Sequence, residues 1–153
     1  MCKHKRVRFS LLLFACVILC YVLWLTLRPV KIVAVHEDRH FSDILVKSFP
    51  FTDKGKITWW LKNKDMLKDK YGLPKPDSDG AFMIVFWLFE DGYKVTDGYD
   101  RLCFSDLEPP MNCIEKNRVF SVETGRNDNI LLTVDDGIYR MKKDGTIVKI
   151  KYK

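Results

Sequence analysis

The sequence predicts an α+β protein: an N-terminal transmembrane helix followed by a small β-rich domain, in which an antiparallel meander is joined to one amphipathic helix. Three observations carry that expectation. An unbroken apolar run occupies Ser10 to Leu27, a single stretch ending at Tyr71 places apolar residues at helical spacing, and Asp-Gly pairs recur between short β-branched or alternating segments.

The apolar run, SLLLFACVILCYVLWLTL, comes first. Its length at a rise of ~1.5 Å per residue is ~27 Å, close to the ~30 Å hydrocarbon core, and Phe9 extends it. Lys3, Lys5, Arg6 and Arg8 precede it with no acid before Arg28. The positive-inside rule therefore predicts a cytoplasmic stub over residues 1–9, a span in the lipid bilayer over 10–27, and an extracytoplasmic domain over 28–153. Nothing after Leu27 offers the small-residue pair of a signal peptidase site, so the run reads as an uncleaved anchor. Leu13-Phe14-Ala15-Cys16 loosely matches a lipoprotein signal, but Phe14 is bulky where a small residue is needed and apolar residues continue well past Cys16. Tyr21 and Trp24 lie toward the far end, where amphipathic rings favour the water boundary, and Arg28-Pro29 stops the helix.

Beyond the anchor, the remaining chain suffices for one domain with a modest core. Four of the 26 Lys and Arg belong to the stub, leaving 22 against 20 acids. That near-balance, with no basic stripe, removes the main support for nucleic-acid binding. The five cysteines divide by compartment. Cys2 faces the cytoplasm, and Cys16 and Cys20 lie in the apolar run as small hydrophobes. Cys103 and Cys113 enter the outer domain across a Pro109-Pro110 bend, and read as an intrachain disulfide worth ~3 kcal/mol in the chain-entropy model.

Val30 to Val35 and Ile44 to Phe49 read as strands. Thr52 or Asp53 then caps a helix with apolar residues at Ile57, Trp60, Leu61, Leu67 and Tyr71, stopped by Gly72, Leu73 and Pro74. Lys62, Lys64, Asp65, Lys68 and Asp69 form its solvated face. Ala81 to Phe89 is too short to span a bilayer and fits a strand buried on both sides. Phe82, Ile84, Phe86 and Leu88 point one way; Met83, Val85, Trp87 and Phe89 point the other. One helix covers one face only, so the second face calls for another sheet layer, the favoured reading, or for a partner. Asp91-Gly92, Asp97-Gly98, Asp136-Gly137 and Asp144-Gly145 are hairpin signals. The runs Arg118–Glu123, Ile130–Val134, Ile138–Lys142 and Thr146–Tyr152 make the closing meander. Calcium is disfavoured because neither the EF-hand pattern nor the glycine-rich nonapeptide repeat is present.

No constellation adds up to a reaction. His36-Glu37-Asp38-Arg39-His40 satisfies the zinc-protease string, which works by putting both histidines on one helical face. Here it follows a strand-like segment with no histidine downstream, so it reads as a polar loop. The serines lack a nucleophile elbow, no carboxylate pair is singled out, and phosphate-cradling glycine loops are absent. Trp59 and Trp60, ~100° apart on a helix, allow at most one to be central to the core. No catalytic, cofactor-binding or metal-ligating residue is nominated, and no cofactor is implied.

Taken together, PVKIVAVH at Pro29 to His36, FPFTDKGKITWWLKNKDMLKDKYGLPKPD at Phe49 to Asp77, DGYDRLCF at Asp97 to Phe104 and PPMNCIEKN at Pro109 to Asn117 resemble a family of enterobacterial inner-membrane proteins of unknown function (domain of unknown function 943). The resemblance implies an inner-membrane location with a periplasmic domain, and no reaction or ligand. Two function classes follow as expectations. The first is a tethered interaction or sensing module that binds an envelope protein through the uncovered apolar face or the Trp59-Trp60 end, with Trp59, Trp60 and Trp87 as candidate partner-binding residues. The second is a membrane-anchored immunity protein that neutralises a toxin by direct binding. An envelope enzyme ranks below both, because it needs a metal or a cleft that the sequence does not display.

Overall fold

The computed structural model describes residues 2–151; Met1, Tyr152 and Lys153, the outer limits of the expected stub, last strand and outer domain, lie outside the described residues. Helix α1 spans Cys2–Leu27. It starts well before the apolar run, because Lys and Arg are good helix formers and nothing between Cys2 and Ser10 breaks the turn. None of its membrane-length window is buried in the protein, and among the described residues it is the one helix long and apolar enough to cross a membrane.

Arg28, Pro29 and Val30 lead into a sheet. Strands β1 (Lys31–Asp38) and β2 (Phe41–Lys47) form a hairpin closed by Arg39 and His40. Helix α2 (Asp53–Tyr71) follows, then β3 (Met83–Leu88), which pairs parallel to β2. A parallel neighbour requires a crossover, and α2 supplies it. The meander is β6 (Arg118–Thr124), β7 (Ile130–Val134), β8 (Gly137–Met141) and β9 (Ile147–Lys149), with β6 antiparallel to β3. The sheet order is β1-β2-β3-β6-β7-β8-β9. The α+β expectation holds, with one parallel pair inside a mostly antiparallel sheet.

The termini of α2 follow from sequence. The Thr52 hydroxyl accepts from the Gly55 amide at 3.0 Å, and Gly72 takes a left-handed conformation (φ 67°) from which its amide caps the carbonyls of Leu67 and Lys68. Ile57, Trp60 and Leu67 bury against the sheet as the spacing predicts, whereas Leu61 is exposed. The centre of this core is Phe86, fully buried with Phe49, Trp59, Trp60 and Phe120 around it at centroid distances of 5.3–6.5 Å. Truncating it to Ala costs about 3–5 kcal/mol.

The second face of β3 is covered from within. Between β3 and β6 the chain makes an excursion over residues 89–117, pinned by the two-stranded ribbon β4 (Leu102–Cys103) and β5 (Cys113–Ile114). Phe89, Phe104 and Ile114 bury there against Leu45, with Trp87, Tyr93, Leu102 and Leu107 at the margin. The expected second sheet layer is thus replaced by an irregular cover, cross-linked by the Cys103–Cys113 disulfide between directly paired residues of the ribbon. Of the four Asp-Gly pairs, those at 136–137 and 144–145 serve the β7–β8 and β8–β9 turns. Those at 91–92 and 97–98 lie in the excursion and make no sheet hairpin. β6 and β7 are joined instead by a short 3-10 turn at Arg126–Asp128.

Candidate functional site

Two places on the domain gather polar chemistry. The first lies beneath the excursion. His36, 6 % exposed, sits on β1 opposite Asp43 of β2, so both side chains point away from α2. The His36 ring stacks on Phe104 at 3.9 Å. Its Nδ1 lies 2.7 Å from the Asp106 carboxylate and its Nε2 2.9 Å from the Tyr93 hydroxyl. Beside it, the Trp87 indole donates to Asp43 at 2.6 Å. Burial pushes the Asp43 carboxyl above its ordinary range, with the Trp87 bond and His36 pulling back. Burial also raises the Tyr93 phenol, and the Asp106 charge adds to it. Each ring nitrogen of His36 thus has one polar partner, Asp106 at Nδ1 and Tyr93 at Nε2.

A cavity of about 260 Å³ adjoins this network, lined by His36, Asp43, Val85, Phe104 and Asp106 among others. Both ring nitrogens of His36 are engaged within the protein. The network therefore ties the sheet to two separate points of the excursion.

The zinc-like string does not form a zinc-protease geometry. Residues 36–38 are in strand β1 and not in a loop, a correction to the expectation, and no helix carries the two histidines. Glu37 pairs with Lys75, and His40 lies 4.0 Å from Asp77.

The second place is a groove of about 660 Å³ at the C-terminal end of α1. One wall is Leu25 and Thr26 of the last turn of α1 with Arg28 and Val30; the other is Phe49 to Phe51 and the first turns of α2. Lys54, Thr58 and Lys62 are four residues apart along α2 and therefore share one face, and all three line the groove. The Arg28 guanidinium lies 4.9 Å from the Trp24 ring, and its Nε is buried without a hydrogen-bond partner. An adjoining cavity of about 540 Å³ shares Arg28 and Phe49 to Phe51 and adds Lys47, Lys56 and Arg118, with the acids Glu90 and Asp135.

The three tryptophans nominated from sequence have separate fates. Trp60 is 4 % exposed in the core, which leaves it no surface to offer. Trp59 is partly buried against Phe49 and lines the groove. Trp87 lies on the opposite side of the sheet, bonded to Asp43. Tyr93 and Asp106, 57 and 70 residues from His36, were not nominated, because no local pattern marks such long-range partners. The groove had a partial signal in the Lys54/Thr58/Lys62 spacing, which reads equally as a solvated face.

These features define an α+β protein led by a helix of membrane-spanning length. More particularly, the chain belongs to the family described as enterobacterial putative membrane protein (DUF943), whose model matches residues 1–151. No curated protein and no solved structure matches it.

Proposed function

We propose that this chain is a single-pass inner-membrane protein, with its N-terminus in the cytoplasm and its folded domain in the periplasm, and that the domain is a tethered binding module. The observation that carries the reading is the junction: an apolar helix led by Lys3, Lys5, Arg6 and Arg8 is joined by only Arg28, Pro29 and Val30 to the first strand of the domain. So short a link holds the domain at the bilayer surface. The disulfide in the outer domain supports the orientation, since such bonds persist in oxidising compartments, while Cys16 and Cys20 are free. A binding role suits a domain whose buried histidine has a partner at each ring nitrogen and which carries a groove of about 660 Å³ beside the anchor.

The test is a reporter enzyme active only in the periplasm, fused after Lys153, together with crosslinking of the anchored chain in cells. Reporter activity and capture of a resident envelope protein support the module. A reporter active only in the cytoplasmic version overturns the topology, and a stoichiometric toxin as the crosslinked species replaces the module with the immunity reading.

A further inference from the structure

We propose that the groove at the end of α1 seats the headgroup of an anionic glycerophospholipid from the periplasmic leaflet, an inference that rests on α1 spanning the inner membrane. Depth is the first argument. Leu25 and Thr26 belong to the last turn of the span and form part of the groove wall, so the groove opens at the headgroup layer, with Trp24 at the same level.

Charge is the second. Three cations, Arg28, Lys54 and Lys62, line the groove, and no Asp or Glu does. None of the three is in an ion pair among the described residues; the acid of the first helical turn, Asp53, is turned away to accept from the Asp135 and Asp136 amides. Arg28 lines the groove without an acidic partner, its Nε buried and making no hydrogen bond, and a phosphate oxygen is the acceptor that a guanidinium fits best. The hydroxyls of Thr26, Ser48 and Thr58 and the amide of Asn63 add neutral donors along the same walls.

The apolar share of the lining matches the rest of the molecule. Val30, Phe49 and Trp59 flank the cations, and Phe51 projects from the loop before α2 at 67 % exposed, a position suited to the glycerol and upper acyl level. A volume of about 660 Å³ lies within the ordinary range for small-molecule sites. A free phosphate would use the cations and leave this apolar wall unsatisfied; a zwitterionic lipid would use the wall and bring its own cation against three others.

The test uses the full chain reconstituted in nanodiscs of equimolar phosphatidylglycerol and phosphatidylcholine, with the lipid retained after release counted by native mass spectrometry. The expected result is preferential retention of phosphatidylglycerol by the wild-type chain. Lys54→Gln with Lys62→Gln, at exposed positions where the fold is not disturbed, lowers that preference, by about fivefold for each lysine at the usual contribution of a cation near an anionic surface. Lys68→Gln with Lys70→Gln, at the far end of the same helix, leaves it unchanged. Equal retention of the two lipids by the wild type, or an unaltered preference in the Lys54/Lys62 variant, overturns the proposal. Alkaline carbonate extraction reads the underlying membrane insertion separately: a chain that stays with the bilayer without lipid preference sinks the groove alone, and a chain that is stripped off sinks the anchoring.

Discussion

His36 on the edge strand and Asp106 in the excursion, 70 residues apart, meet at 2.7 Å beneath the disulfide-linked ribbon. With Tyr93 on the other ring nitrogen, His36 fastens both the start and the middle of a long irregular segment to the sheet. Replacing it with Ala leaves Tyr93 and Asp106 without their partner and removes the ring stacked on Phe104, a loss of about 2–3 kcal/mol. Denaturant unfolding of the full chain in detergent, followed by tryptophan fluorescence, measures it. In a double-mutant cycle His36→Ala and Asp106→Ala are non-additive by about 0.5 kcal/mol or more; strict additivity would mean the two do not act together.

Asp43 gives the pH dependence of the same region. Its carboxyl is raised chiefly by burial, so the folded state favours the neutral form. The stability this contributes is present below the unfolded carboxyl value and is lost as pH rises through the folded one. Asp97 and Asp144 act in the opposite direction: the Arg101 bond holds Asp97 low and the Thr146 amide holds Asp144 low, so their contributions are lost as pH falls. Asp43→Asn keeps an acceptor for the Trp87 indole and removes the ionisation. The stability of Asp43→Asn relative to wild type therefore rises from about pH 4 to about pH 7. A difference that is flat across that range would mean Asp43 is not strained by its charge.

Local signals made α2 and the meander legible. Thr52, Gly72 and the 3.6-residue spacing fix α2 within the chain's own few neighbours, and Ile130–Val134 has the same bounds in the sequence reading and in the structure. Where a long-range partner decides, the sequence misleads. His36 to Asp38 looks polar enough for a loop, but a two-residue turn at Arg39-His40 lets β1 pair with β2 to its end, with His36 inward and Glu37 and Asp38 outward. For the cover over Trp87 and Phe89 the sequence points to a second sheet layer, whereas the structure supplies an irregular excursion, whose two-residue strands carry no periodicity to read. The groove depends on the end of α1, the loop of residues 48–52 and α2 converging, and no spacing within one segment encodes that convergence.

The disulfide acts on that cover. Cys103 and Cys113 face one another across the ribbon, and Asp106 lies in the loop they close. Cys103→Ser with Cys113→Ser frees this loop in the unfolded chain and lowers stability by ~3 kcal/mol in the chain-entropy model. Its effect also reaches His36, since Asp106 is then held by its hydrogen bond alone, so the His36→Ala penalty shrinks in the double-serine background. Thiol labelling of denatured wild type spares both cysteines until reductant is added; equal labelling without reductant would remove the bond from the account.

The last prediction concerns the opposite side of the sheet, where Lys56 of α2 is almost wholly buried and its ammonium donates to Asp135, 2.6 Å away in the β7–β8 turn. Asp53, on the preceding turn, accepts from the Asp135 and Asp136 amides, so helix and hairpin are tied twice. Asp135 itself is largely exposed, which lets water screen the pair and limits what the bond adds. The two ends are therefore unequal. Asp135→Ala strands a buried ammonium and costs about 1–3 kcal/mol, whereas Lys56→Met keeps the packed stem, removes the charge and stays within about 1 kcal/mol of wild type. Denaturant midpoints of the two variants decide the point. If Lys56→Met is the more damaging, the ammonium is contributing net attraction beyond its desolvation, and the ion pair, with the Asp53 bonds to the turn amides, holds α2 on the hairpin.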